Sequence, residues 1–292
     1  MKKPSYPLAI AEAVIVSLIW SSSFIIVKII IADLGPLTIS GLRYLIGALI
    51  LFPFMLREKE TTPITGKVWG LLLLLGLSAY AIGNGMMFWS LKYLPATTVS
   101  FLMSSLTITT LIVGIFLLKE IPGIVQIIGI IVTLGGMTLF FAEGMQAGET
   151  LGLIIFGIGV IGFTTFGILG RKIARSGSVS TLRLTTVPLA LGGGITLLVA
   201  ILLEGIPSAP LSTWGLILFL AVVNTAIGYV LYNHALQTLA AFQMNIALNL
   251  TPVWTATFGF FLLDERLEAL QMLGIAVMIV GVMLVQMRKR KQ

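Results

Sequence analysis

The chain contains no cysteine and a single histidine. Without thiols there is no disulfide framework, no thiolate metal site and no cysteine nucleophile. One imidazole cannot build a histidine metal cluster. Charge is scarce too: 10% of the residues are Asp, Glu, Lys or Arg, against about 25% in an ordinary soluble domain. So few charges cannot cover a water-soluble surface, which excludes a soluble enzyme, a disordered chain and a small secreted domain. No nucleophile–base set stands out, so no catalytic residue, metal or cofactor is expected. The +7 balance reads as a membrane signature, and no nucleic-acid partner is expected.

What is present is apolar sequence. The hydrophobic set makes up 58% of 292 residues, and the mean hydropathy is +1.08. The sequence divides into ten apolar runs, near 8–31, 36–56, 68–90, 96–118, 122–142, 151–170, 181–203, 213–235, 240–263 and 267–287. Each is about the 20 residues that a helix needs to cross the hydrocarbon core. Barrel strands would instead alternate over about 10 residues. Breaks such as Asp33-Leu34-Gly35-Pro36, Arg57 to Lys67 and Glu204 to Ser212 carry turn or charge signals. The first run follows Lys2 and Lys3, but it is long and no small-residue cleavage site follows it cleanly. It is therefore read as a spanning helix rather than a leader.

Orientation follows from the basic residues. With ten alternating helices and a cytoplasmic N-terminus, the inside segments hold Lys2, Lys3, Arg57, Lys59, Lys67, Lys119, Arg171, Lys172, Arg175, Arg183 and Arg288 to Lys291. The outside ends hold only Lys28, Lys92 and Arg266, which makes 14 against 3, with Arg43 left inside the membrane. The expectation is a multi-pass protein of the plasma (inner) membrane with both termini cytoplasmic. The run Arg288 to Lys291 is read as an anchor at anionic lipid, so membrane lipid is an expected partner.

The chain also repeats itself. At an offset of 145, Trp69-Gly70-Leu71 falls on Trp214-Gly215-Leu216, Ala81-Ile82-Gly83 on Ala226-Ile227-Gly228, and Phe116-Leu117-Leu118 on Phe261-Leu262-Leu263. Gln126 falls on Gln271 and Glu120 on Glu265; 23 of the 72 pairs from residue 69 to 140 are identical without a gap. An offset of 143 sets Trp20 on Phe163 and Ser21-Ser22 on Thr164-Thr165. The expected fold is all-α and integral to the membrane: two five-helix repeats, residues 1–148 and 149–292. Five is odd, so the repeats are inverted, as in secondary transporters with a site near the midplane.

Several motifs carry a family resemblance. Leu250-Thr251-Pro252-Val253-Trp254, Phe260-Phe261-Leu262-Leu263-Asp264-Glu265, Leu273-Gly274-Ile275 and Gly281-Val282 resemble the closing signature of the EamA-type repeat. Phe116 to Glu120 with Gly129 and Gly135-Gly136 resembles it in the first half. Leu18 to Phe24 with Lys28, and Leu42-Arg43-Tyr44, are similar to the repeat's opening. The resemblance is to the drug/metabolite transporter superfamily. It implies ten helices, inward-facing termini, a central cavity and export of small metabolites by alternating access. The first half has Thr107 where the second has Pro252, so a helix break is expected only in the ninth helix. Thr185 stands roughly opposite Arg43.

Polar residues inside apolar helices face a cavity or another helix. Ser100 and Ser104 lie one turn apart, and their repeat partners are Asn245 and Asn249. Tyr80 and Asn84 share that spacing, with Thr225 and Tyr229 as partners, continued by Asn233. Trp20 and Ser21 add to the strip. These residues are the expected substrate contacts, with interhelical hydrogen bonding as the competing role. Arg43 is a candidate charge contact for a substrate carboxylate; snorkelling outward or holding carbonyls are its other roles. Pro252 frees a carbonyl near Leu248 beside Asn249. Glu12 is expected near the cytoplasmic end, paired with a base; Glu120 and Glu265 are expected to cap helix junctions. His234 is expected at the interface. No carboxylate falls near the membrane centre, so transport is expected to be facilitated or weakly coupled. The expected solute is small and neutral or zwitterionic, such as an amino acid, carried by a monomer. A multidrug exporter and a non-transporting membrane or lipid-interaction protein are the alternatives.

Overall fold

The computed structural model describes residues 4–57, 65–106, 108–109, 112–113, 123–142, 148–176, 179–235, 238–239, 244 and 247–286. Those residues are helical, with short turns between helices and no strand among them. The helices are α1 Tyr6–Ile30, α2 Pro36–Arg57, α3 Gly66–Ser90, α4 Ala96–Met103, α5 Ile124–Phe140, α6 Glu149–Ser176 and α7 Thr181–Glu204. Then follow α8, running as Leu211–Phe219, Leu220–Ile227 and Gly228–Ala235, α9 Thr251–Leu263 and α10 Ala269–Gln286. Six of the described helices are long and apolar enough to cross a membrane, and Ile124–Phe140, Thr251–Leu263 and Ala269–Val285 are shorter apolar helices. The protein is an all-helical integral membrane protein.

The chain forms two compact units. The first comprises Met1–Ile25, Pro95–Thr150 and Leu231–Gln292; the second comprises Ile26–Leu94 and Leu151–Val230. Neither coincides with a sequence half, because each takes segments from both. In the first unit, α5 crosses α10 over four glycines. A Cβ on Gly129 would lie 2.6 Å from the Val285 nitrogen and 2.7 Å from the Gly281 oxygen. One on Gly136 would lie 2.6 Å from the Met278 nitrogen and 2.8 Å from the Gly274 oxygen. Only a hydrogen at these positions allows the two backbones to approach so closely.

The scarce carboxylates hold helix N-termini, where unpaired backbone N–H groups and the helix dipole favour negative charge. In the second unit Glu204 accepts from the Leu37 and Thr38 nitrogens at 3.0 and 2.8 Å and from the Thr38 hydroxyl at 2.7 Å. There, too, Thr213 in the first turn of α8 donates to Asp33 at 2.5 Å. In the first unit Glu265 accepts from the Ala96 and Thr97 nitrogens at 2.7 and 3.0 Å and from the Thr97 hydroxyl at 2.8 Å. The expected capping role of Glu265 is thus an inter-helix clamp. Asp264, left-handed at φ 52°, ends α9 and turns the chain into it. At an opposite kind of terminus, Lys28 donates to the Leu91 and Leu94 carbonyls at the end of α3, at 2.5 and 2.7 Å.

Helix irregularities fall in two pairs. α3 and α8 each contain a wide π-turn segment, Leu77–Asn84 and Leu220–Ile227. α9 starts afresh at Thr251 with Pro252 in its first turn, after a tight turn in which the Leu250 nitrogen bonds to the Ala247 carbonyl. The expectation of a break only there is corrected. α4 ends at the equivalent place, where Ser104 and Ser105 donate their backbone N–H groups to Phe101 and Leu102, three residues back. No proline is needed, because the Ser105 hydroxyl also claims the Leu102 carbonyl, at 2.6 Å, and competes with the helical pattern. Thr107 lies outside the described residues.

Candidate functional site

The expected contact residues divide between the two units. In the second unit, α2 places Arg43 on its eighth residue, about 10 Å along the helix at 1.5 Å per residue. The residue is 4% exposed. Its Nε donates to the Thr225 hydroxyl at 3.0 Å. Its guanidinium lies 5.1 Å from the Tyr44 ring centre and 5.6 Å from that of Phe88, within the range where a cation is attracted to a ring face. Thr225 in turn donates to the Leu220 carbonyl at 3.1 Å, five residues back. That carbonyl belongs to the π-turn segment, whose backbone bonds come from the N–H five residues on, so the hydroxyl adds a second bond over the same span.

The hydroxyls of Tyr80, which is buried, and Tyr229, which is half-buried, come within hydrogen-bonding reach of one another. Tyr80 also packs against Tyr44 at 4.7 Å and Phe166 at 6.2 Å between ring centres, and its carbonyl accepts from Ser40 at 3.0 Å. Asn84 is buried but spends its amide nitrogen on the Ala79 carbonyl at 2.8 Å, within its own π-turn. The structure therefore joins Arg43 to Thr225 and Tyr80 to Tyr229, and it directs Asn84 inward on its own helix. Ser40, Tyr44, Phe88 and Phe166 were not foreseen. For the first there was a signal: Ser40 stands three residues before Arg43, on the same helix face.

In the first unit Trp20 stacks on Tyr232, with ring centres 5.4 Å apart. Ser21 and Ser100 return their hydroxyls to the Leu18 and Thr97 carbonyls of their own helices, at 2.7 and 2.9 Å. Those bonds are local, which is what a structural role predicts. Ser104 is buried at the break that ends α4. Asn249 is different: it sits in the turn before α9, is 7% exposed, and its Nδ2 has no partner. Asn245 and Glu120, and the side chain of Asn233, lie outside the described residues. Trp254, in the second turn of α9, donates its indole N–H to Ser17 at 3.1 Å.

Glu12 does pair with a base, and that base is His234. Glu12 Oε1 lies 2.7 Å from His234 Nδ1. The histidine, expected at the interface, is buried against other side chains.

The EamA-like transporter family model matches the chain twice, over residues 7–142 and 150–287. The chain belongs to that family. An uncharacterized transporter of Archaeoglobus fulgidus is 25% identical over 275 residues, covering 91% of this chain and 93% of its own. A probable amino-acid metabolite efflux pump of Escherichia coli is 24% identical over 280 residues, covering 92% and 91%. The uncharacterized inner membrane transporter YedA of the same species is 23% identical, covering 93% and 88%. A crystal structure superimposes with a TM-score of 0.70 at 15% identity, covering 99% of this chain and all of that one, and so shares the fold. This EamA-family chain is a multi-pass membrane transporter, with a small-molecule solute and a lipid surround.

Proposed function

We propose that this transporter exports small neutral or zwitterionic metabolites, amino acids among them, across the plasma (inner) membrane by alternating access. The observation that carries the substrate class is the buried Arg43 among Thr225, Tyr80 and Tyr229. A guanidinium and phenol hydroxyls in a low-dielectric surround suit a carboxylate. The name of the Escherichia coli relative supports the same class. Asn249 is a second proposed contact on separate grounds, since its buried amide nitrogen has a bond to give. Asn84, Ser100, Ser104, Trp20 and Ser21 complete the proposed contacts, and Asn245 stays among them from its sequence spacing.

The proposed scaffold is ten helices in two inverted five-helix repeats, with a monomer as the working unit. Two features support it. The family model matches twice, and the α5–α10 crossing is reciprocal: Gly129 meets Gly281 and Gly136 meets Gly274, although the sequence offset pairs Gly129 with Gly274. An inverted repeat lets the two halves exchange conformations to face either side.

The test is transport by purified protein in liposomes loaded with the twenty common L-amino acids, with efflux read by mass spectrometry. Selective efflux supports the proposal. Efflux of lipophilic cations instead would replace it with the multidrug reading, and movement of neither would leave a non-transporting role. Single cysteines at Thr62 and Ser176 should label only from the cytoplasmic side and one at Gln146 only from outside. External labelling at Ser176 would sink the inverted arrangement.

A further inference from the structure

Three described helices begin with a proline and a threonine close together: α2 at Pro36-Leu37-Thr38, α4 at Pro95-Ala96-Thr97 and α9 at Thr251-Pro252. Two of them receive a carboxylate of this chain. Glu204 on α2 and Glu265 on α4 each take two backbone N–H groups and a threonine hydroxyl. The start of α9 has no side-chain cap. Its first-turn N–H groups and the positive end of its dipole therefore still favour an anion.

A second observation points to the same place. Asn249, in the turn just before α9, is 7% exposed, and its Nδ2 is buried with no hydrogen-bond partner. An amide nitrogen can only donate, so it lacks an acceptor. Asn249 continues the buried stripe of Pro252, Thr255 and Gly259 at helical spacing. That stripe faces α4, since a Cβ on Gly259 would lie 3.1 Å from the Thr97 hydroxyl oxygen. The start of α4 meets the end of α9 through Glu265, so the end of α4 runs down beside the start of α9. Seven residues on from Thr97 is Ser104, and seven back from Gly259 is Pro252. Ser104, buried at the α4 break, thus stands beside Pro252, within about a turn of Asn249. The Phe101 and Leu102 carbonyls near it are already engaged by Ser104 and Ser105. Neither α4 nor α9 contains a charged side chain. Donors without a cation suit one negative charge on a small group, because burying a second would cost far more.

We propose that the turn before α9, faced by the break in α4, is a binding site for a small monovalent anion, held by Asn249 Nδ2, the first-turn N–H groups of α9 and the Ser104 hydroxyl. Two sources carry that chemistry: free chloride, and the carboxylate of the solute. The anion site stands apart from the export reading; only its carboxylate source rests on that reading.

The test uses full-length protein in nanodiscs of zwitterionic lipid, with potassium chloride replacing potassium sulfate at constant ionic strength. Chloride should bind the wild type saturably, read as broadening of the chloride NMR line, and should raise its thermal unfolding midpoint. Asn249→Ala should weaken that binding at least about tenfold, the scale of one lost hydrogen bond to an ion. Asn249→Asp places a carboxylate of the chain at α9, as Glu204 and Glu265 are placed at α2 and α4, and should bind no chloride. No saturable binding in the wild type, or wild-type binding in either variant, overturns the site. The amino-acid mixture then separates the sources. Chloride displaced by it assigns the site to the solute's carboxylate; chloride that stays bound assigns it to a free anion. Protein that binds chloride but exports no amino acid overturns the export reading and keeps the site. Export without chloride binding does the reverse.

Discussion

Both units interrupt their helices, but in opposite ways. In the second unit α3 and α8 widen into π-turns, and a side chain adds a bond to one carbonyl of each: Asn84 on Ala79, Thr225 on Leu220. In the first unit α4 and α9 tighten into three-residue turns at Ser104 and Leu250. There Asn249 stands with its amide nitrogen unpaired, and Glu12 with one oxygen unpaired. The polar groups around the second unit's π-turns mostly satisfy one another, so that cluster is held ready before any solute arrives. At its turn the first unit keeps the unmet Asn249 Nδ2, which a ligand can fill; in the second unit the buried Thr186 hydroxyl, on α7, also lacks a partner. An unmade buried bond costs free energy, so Asn249 has something to gain from a ligand.

The largest expected effect is on the organised cluster. Arg43→Met removes the charge while keeping apolar bulk. Transport of carboxylate-bearing solutes should fall at least about 100-fold, corresponding to roughly 3 kcal/mol of a buried charged contact. Efflux that persists within a few fold would take Arg43 out of the site and dissolve the distinction between the units. Next comes Thr225→Val, which keeps the shape but deletes the bonds to both Arg43 and the Leu220 carbonyl. A loss of about 2–3 kcal/mol in stability is expected, because one of those bonds is charge-assisted, read as a lower midpoint in thermal or denaturant unfolding. Asn84→Ala should cost about 1 kcal/mol by removing its bond to the Ala79 carbonyl. Asn249→Ala is expected to have the smallest effect on stability, under about 1 kcal/mol, because its Nδ2 has no bond to lose. Affinity for the amino-acid mixture should still weaken. If Asn249→Ala destabilises as much as Asn84→Ala, the contrast between satisfied and unsatisfied turns is wrong.

The expected site was legible unevenly. Tyr80 and Tyr229, chosen by repeat spacing, did meet across helices, and Arg43, singled out as a charge inside an apolar run, found Thr225. The serines at positions 21 and 100 turned to their own backbones, because a short hydroxyl reaches the preceding turn's carbonyl more readily than a neighbouring helix. Glu12 was placed correctly beside a base, but its burial was not visible. A lone glutamate near the start of an apolar run looks interfacial until the helix that covers it is known. Glu204 marked a break between apolar runs, but its tie from the end of α7 to the start of α2 was not visible, since its partners lie over 160 residues away.

By itself the sequence determined the class of molecule. Run length and scarce charge demand helices in lipid, because only internal hydrogen bonding satisfies a backbone there. It also determined the family, through motifs placed twice at a constant offset. Tertiary structure alone decided which polar groups are spent and which are spare. That depends on whether a side chain's reach ends on its own helix, on a neighbour or on nothing. It also decided the division into units, because helices from both sequence halves pack together wherever glycines or carboxylate clamps allow close approach. Such contacts join residues far apart in the chain, and no local pattern encodes them.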